Sequence, residues 1–233
     1  MQVLAIESAT NVASVAIVTE ETIVAEVILN TGKTHSQRLM PLLANLMEEA
    51  ELEVEDLNGI AVSGGPGSFT GLRIGMSTAK GLAYAAKKPL ILVSTLEVLA
   101  LNLIESPGLI CPILNARKSE VYTALYKKTD NELEELLPKK ALAPAELVET
   151  LKTFSEKIVF SGDAVPVFGD FLLKNLGQKS SLAPPFLSVP RAANLGWLAL
   201  KKYKKGEIED LAAAKPFYIR SSEAEVKWKQ KKA

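Results

Sequence analysis

Cysteine is nearly missing from this chain. Cys111 stands alone, so no intrachain disulfide exists and a reducing compartment is expected. Histidine is as scarce: His35 is the single one, 76 positions from Cys111, whereas a protein zinc site needs three or four His, Cys or acidic ligands. A surplus of either charge is lacking too. The 27 basic and 27 acidic residues cancel, which removes any global charge argument for nucleic acid or membrane as an obligatory partner. No apolar run reaches bilayer-spanning length, and the opening MQVLAIESAT has neither a charged n-region nor a long apolar h-region. A soluble, cytoplasmic protein with no membrane partner is expected. What is present is a chain of 233 residues, long enough to bury a sizeable core as one large or two small domains. Only its end is locally basic: from Lys201 to Ala233 ten Lys or Arg face five acids.

The most informative stretch is Gly64 to Gly75, GGPGSFTGLRIG, between an apolar run at 59–63 that reads as a strand and a segment that reads as a helix. Glycines permit positive φ and close backbone approach, and a helix start offers unpaired N–H groups, so the element suits either a phosphate or a tight packing corner. Two phosphate-loop templates fail on it. Leu72-Arg73 follow Gly71 where a Walker A element needs Lys and Ser or Thr, and Thr70 stands where the dinucleotide fingerprint needs its third glycine.

Apolar runs at 3–6, 13–18 and 23–29 predict a three-stranded meander. Leu39, Leu42, Leu43, Leu46, Met47 and Ala50 recur at helical spacing after Thr34 and Gln37, which have the form of a capping box. The strand at 59–63, a helix at 71–86 and a strand at 90–93 follow, giving βββαβα. The pattern then repeats: 113–126 aligns with the first meander, placing Glu7 opposite Asn115, and IVFSGDAVPVFG (158–169) aligns with IAVSGGPGSFTG (60–71). Helices are expected at 144–153, 167–176 and 191–205. A duplicated α/β unit of this kind, two βββαβα halves facing a cleft, is the architecture of the actin, sugar-kinase and heat-shock-chaperone ATPase superfamily. The halves are expected at 1–100 and 101–220, with a basic tail at 221–233.

Several pieces together resemble the bacterial TsaB (YeaZ) family: LAIESAT, THSQRLMPLL, GGPGSFTGLRIG, LNARKSEVY and KPFYIRSSEAEVKW, spread over essentially the whole chain. The resemblance implies the dimerisation subunit in threonylcarbamoyl-adenosine modification of tRNA, with no catalytic residues, no metal and no cofactor of its own. It also implies pairing with a metal-bearing homologue, TsaD, largely through the first two helices, with a TsaE-like ATPase and tRNA joining the complex and a homodimer when the partner is absent. Glu7 and Asn115 stand where aspartate is usual in the family, which argues against ATP with magnesium.

The residues allow the same role to be weighed independently. With one histidine, the His-x-x-x-His pair of the catalytic homologue is impossible. Glu7, Glu120 and Asp163 are the candidates for an all-carboxylate magnesium site, and turn or surface acids are the commoner explanation. A vestigial nucleotide cleft would comprise Glu7, Ser8, Thr10, Asn115, Arg117, Gly162 and Asp163. His35 is a candidate general base without a Gly-x-Ser-x-Gly nucleophile, so a structural or interface role is expected. Gly71, Gly75, Ala79 and Ala83 form a stripe without bulk beside Leu72 and Met76, and Leu39, Met40, Leu42, Leu43, Leu46 and Met47 cover more than one face of the preceding helix. Simple packing against the chain's own sheet accounts for some of this; the rest predicts a two-helix partner face that includes His35 and Arg73. Lys227, Trp228, Lys229, Lys231 and Lys232 are candidate tRNA contacts, or solvated tail. The rival function is an autonomous small-molecule kinase or ATPase of the same superfamily, and a protease is disfavoured.

Overall fold

In a computed structural model, which describes residues 1–32, 34–116, 119–130 and 132–219, the chain builds one sheet order twice. The first sheet contains β1 (Gln2–Glu7), β2 (Ala13–Thr19), β3 (Ile23–Leu29), β4 (Gly59–Gly65) and β5 (Leu90–Ser94), ordered 3-2-1-4-5. The second contains β6 (Leu109–Asn115), β7 (Val121–Thr129), β8 (Glu132–Leu142), β9 (Ile158–Ser161) and β10 (Ser180–Leu182), ordered 8-7-6-9-10. Each begins with an antiparallel meander and continues with parallel strands. Parallel neighbours need crossover connections. Four helices supply them, α1 (His35–Glu49) and α2 (Phe69–Ala85) in the first half and α4 (Pro144–Leu151) and α5 (Val165–Leu176) in the second, while α3 (Thr95–Leu101) and α6 (Ala192–Lys204) follow the last strand of each half.

The central strand β1 is apolar on both faces because it is covered on both. Leu4 and Ile6 join the core under α1 and α2, while Val3 and Ala5 join the core under α6. Such double burial is what near-continuous apolar strands require. The last helix of each half crosses to the other sheet. Leu96, Leu99 and Ala100 of α3 pack with Ile110, Leu114 and Tyr126, and Leu195, Leu198 and Ala199 of α6 pack with Ala16, Val18 and Val93. Gly196 lets α6 sit this close, since a Cβ there would lie 1.9 Å from a methyl of Val18. The docking is pinned by Glu26 of β3, which pairs with Arg191 and accepts the Ala193 amide at 2.9 Å at the start of α6.

Helix ends differ from the sequence reading in several places, with α5 starting at Val165 rather than 167 and α4 ending at Leu151 rather than 153. Thr34 precedes α1 but its side chain caps nothing, bonding Ser36 at 3.2 Å instead, so the Thr34–Gln37 capping box is not formed. α2 begins at Phe69 rather than 71, because the Ser68 hydroxyl accepts the Gly71 amide at 3.3 Å and starts the helix two residues earlier. β10 and α3 carry no strong periodicity in three and seven residues and were not foreseen. Among the described residues no helix is long and apolar enough to cross a membrane.

Candidate functional site

The parallel strands deliver their carboxyl ends to one edge of each sheet, where open α/β sheets bind ligands. In the first half that edge comprises Glu7, the turn Ser8 to Asn11 that leads to β2, and Ser63 to Gly65. The Glu7 carboxylate is fully buried. Its Oε1 accepts the Ala9 amide at 2.7 Å, and its Oε2 has no partner among the described residues. Burial pushes its pKa up to about 7, against the lowering effect of the Ala9 amide.

Every carbonyl from Ala9 to Asn11 is occupied by a donor from the chain itself. The Ser68 amide donates to Ala9 at 2.6 Å, His35 Nε2 to Thr10 at 2.6 Å, and Arg38 Nη2 to Asn11 at 2.5 Å. His35 therefore carries its proton on Nε2, because a carbonyl only accepts, and burial holds its pKa below the ordinary histidine value. Ser8 is held as firmly: its amide donates to Ser63 Oγ at 3.3 Å and its hydroxyl to the Gly71 carbonyl at 3.0 Å.

This turn explains the glycine-rich motif. A Cβ on Gly67 would stand 2.3 Å from the Ala9 carbonyl, one on Gly71 2.1 Å from the Ser8 carbonyl, and one on Gly75 2.2 Å from Ser8 Oγ. Of the two readings left open by the sequence, the packing corner is the one built. The stripe of Gly71, Gly75, Ala79 and Ala83 is buried within the chain, and so are Leu72 and Met76. Gly71 and Gly75 let α2 approach Ser8, and Ala79 and Ala83 pack in the core of the first half, so the stripe expected to meet another subunit is covered by the chain's own residues. Leu39, Leu42, Leu43, Leu46 and His35 are likewise buried under α1, and only Met47 and Arg73 of the expected partner face keep surface.

The second half repeats the frame with other fillings. The Asn115 amide donates to Asp163 Oδ1 at 2.8 Å, and Gly162, at φ 112°, places its backbone where a Cβ would meet the Ile113 carbonyl at 2.2 Å. Glu7, Ser8 and Thr10 thus come together at one edge, and Asn115, Gly162 and Asp163 at the other. Arg117 and the tail residues Lys227, Trp228, Lys229, Lys231 and Lys232 lie outside the described residues.

Two surface features escaped the sequence reading. One is a cavity of about 350 Å³ beside α1 and α2, walled by Met40, Leu43, Ala44, Met47, Leu52 and Leu82, with Glu53 and Glu55 also lining it. Met40, one of the residues that make α1 apolar on more than one face, is 52% exposed at the cavity's rim. The other is the strap 209–219, which crosses the first half. Glu209 bridges to Leu90, the Phe217 amide donates to the Gly64 carbonyl at 2.6 Å, and Lys80 Nζ reaches the Ala214 carbonyl at 3.1 Å. Arg73, unassigned from sequence, lies 3.8 Å over the Phe69 ring with Nε 3.4 Å from the Tyr218 hydroxyl.

Residues 22–228 match the family profile described as "TsaD: tRNA N6-adenosine threonylcarbamoyltransferase". The chain is 36% identical, over 98% of both chains, to the tRNA threonylcarbamoyladenosine biosynthesis protein TsaB of Bacillus subtilis. Among solved structures, a Pseudomonas aeruginosa protein described as similar to peptidase YeaZ superposes with a TM-score of 0.81 at 26% identity, covering 94% of this chain and 99% of that one. A ROK hexokinase from Thermus thermophilus, 12% identical with a TM-score of 0.50 over 88% of this chain and 100% of its own, shares the fold. The duplicated α/β architecture is accordingly of the actin and sugar-kinase type, and the chain belongs to the TsaB (YeaZ) family, whose members are named for threonylcarbamoyladenosine biosynthesis on tRNA.

Proposed function

We propose that this chain is a non-catalytic supporting subunit in threonylcarbamoyl-adenosine modification of tRNA, acting in the cytoplasm by pairing with a TsaD-like, metal-bearing homologue. The observation that carries the reading is the filled β1–β2 turn. In a kinase of this fold that turn must offer its backbone to phosphate, and catalysis needs phosphate loops and magnesium carboxylates from both halves. Here Ser68, His35 and Arg38 already hold Ala9, Thr10 and Asn11, and the Glu7 carboxylate turns one oxygen back on its own loop. Nucleotide entry would have to break these contacts first.

The face left for a partner is the exposed side of α1 with the apolar cavity between Met40, Met47 and Leu82. About 800 Å² per partner makes a standard specific interface, with apolar anchors at its centre. A TsaE-like ATPase and tRNA join this pair, and without the homologue the same face forms a homodimer. Leucine at Gly75 is a poor probe of this interface, since it collides with Ser8. Met40→Asp is the better one: it is expected to keep the unfolding midpoint and to abolish co-elution with the metal-bearing homologue, and modification of tRNA by that homologue is expected to fall when the wild-type chain is omitted. A homologue that modifies tRNA at full rate alone, or ATP turnover by the isolated chain that vanishes in Glu7→Ala, overturns the proposal.

A further inference from the structure

The sequence carries no acid between Asp56 and Glu97, and none between Asp210 and Glu223. The fold brings these two acid-free segments together, because the first contains α2 and the second contains residues 211–219 of the strap laid over it. Helical spacing puts Arg73, Ser77, Lys80 and Tyr84 in one row along α2, on the flank away from the Leu82 side that lines the apolar cavity. That row is about 16 Å long at 1.5 Å per residue. Aromatic rings stand at both ends. Tyr84 is 78% exposed at one, and Phe217 and Tyr218 are 54% and 37% exposed at the other.

The rings at the strap end are fixed. Phe217 is held through its amide on Gly64, and Tyr218 packs 5.1 Å from Phe69, whose face carries the Arg73 guanidinium. The cations beside them have no acid to neutralise them among the described residues. There Arg73, Lys80 and Lys215 are in no ion pair, whereas the lysines ending α6 all are: Lys201 with Glu132, Lys202 with Glu207, Lys204 with Glu20. The lysines from Lys201 to Lys204 are thus paired on α6, whereas Lys215 of the strap, which also carries Glu209 and Asp210, is in no ion pair among the described residues.

We propose that this surface, Tyr84, Lys80, Arg73, Phe217, Tyr218 and Lys215, binds single-stranded polynucleotide, stacking bases on the exposed rings and neutralising phosphates with the three cations. Stacking rings set among uncompensated cations are the recognition chemistry of single-strand binders. An acidic protein would use the charge but not ordered ring faces. The inference goes beyond the partner reading above and rests on it only for naming tRNA as the natural source of the strand.

The test is a titration of the full chain with a fluorescent oligoribonucleotide of about 12 nucleotides, within the site size of single-strand binders, at low and raised salt. Tyr84→Ala and Phe217→Ala, both at exposed positions, are expected to weaken binding about tenfold each at an unchanged unfolding midpoint. Lys215→Glu is expected to lower the salt slope by about one. A chain ending at Ile219 is expected to retain binding that the ring variants still weaken. The proposal is overturned if the wild-type chain fails to bind at about 100 µM protein in low salt, if the ring variants bind like wild type, if truncation alone removes all binding, or if polyglutamate displaces the oligonucleotide as well as unlabelled RNA does. Co-elution with the metal-bearing homologue is measured in parallel. Its loss in the ring variants with RNA binding intact would make this surface a protein contact, and its loss in the wild type would sink the partner reading while leaving the titration readable.

Discussion

The two halves place a serine at the same point of the sheet and use it differently. Ser63, near the end of β4, accepts the Ser8 amide, while its counterpart Ser161, the last residue of β9, has a buried hydroxyl with no partner among the described residues. The glycines aligned with them differ in the same way. A Cβ on Gly71 would strike backbone, the Ser8 carbonyl at 2.1 Å, whereas one on Gly169 would meet only the end of the Leu182 side chain at 2.8 Å. A duplicated frame therefore does not imply duplicated constraint: the first half is tight at Gly71, while the second is tight at Gly162, where a Cβ would meet the Ile113 carbonyl at 2.2 Å and one on the aligned Gly64 would meet only the Leu92 side chain at 3.4 Å. Of the four glycines in the first copy, Gly64 and Gly71 have counterparts in Gly162 and Gly169, while Asp163 and Val165 stand opposite Gly65 and Gly67.

The comparison can be broken most directly at those glycines. Gly71→Ala is expected to cost about 4 kcal/mol, at the upper end of overpacking effects, because a carbonyl cannot move aside without opening the β1–β2 turn. Gly169→Ala is expected to cost about 1 kcal/mol, since a leucine methyl can rotate away. Denaturant unfolding of the two variants measures both, and equal costs would erase the distinction between the halves.

The next effect in size concerns pH. Glu7 has a folded pKa of about 7 against an ordinary value of 4.5, so the folded state favours the protonated form. Its contribution is fully present below the unfolded pKa and is lost as pH rises through 7, a loss of about 3 kcal/mol across that window. Glu7→Gln removes this slope, so its stability relative to wild type is expected to rise between about pH 4.5 and about 7 and then level. The aligned residue, Asn115, does not titrate, and the raised carboxyl of the second half is instead Asp163, pushed up by burial against the lowering effect of the Asn115 amide. Thermal unfolding from about pH 4 to about 8 checks it, and parallel curves for the two proteins would contradict the buried charge.

The smallest effects sharpen the serine comparison. Ser63→Ala is expected to cost about 1 kcal/mol, since it leaves the buried Ser8 amide without its acceptor. Ser161→Ala is expected to be neutral or slightly stabilising, because its hydroxyl makes no bond to lose among the described residues. The difference between the two midpoints, rather than either alone, is the informative quantity.

Much of the frame was legible beforehand. β1 to β3 and α1 follow from apolar runs and spacing, the helices expected at 144–153 and 191–205 match α4 and α6, and the alignment of IVFSGDAVPVFG with IAVSGGPGSFTG places β9 and α5 opposite β4 and α2. The direction in which the small-residue stripe faces was not legible. Periodicity identifies which residues share a helix face, but burial within the chain and burial against a partner leave the same pattern in Gly71, Gly75, Ala79 and Ala83. Arg73 was similarly opaque, because its ring partner is a neighbour at Phe69 and its hydroxyl partner, Tyr218, is 145 positions away.

From its letters alone, this protein was determined to be a duplicated α/β chain without the histidines or cysteines for a zinc centre, since repeats, periodicities and residue counts are properties of order and composition. Tertiary structure alone decided that the glycine motif grips the chain's own β1–β2 turn, that α3 and α6 each cover the opposite sheet, and that two acid-free segments meet on one surface. Those outcomes depend on which distant backbone groups come within bonding distance, and such distances arise only when the sheets have formed and the helices have packed on them.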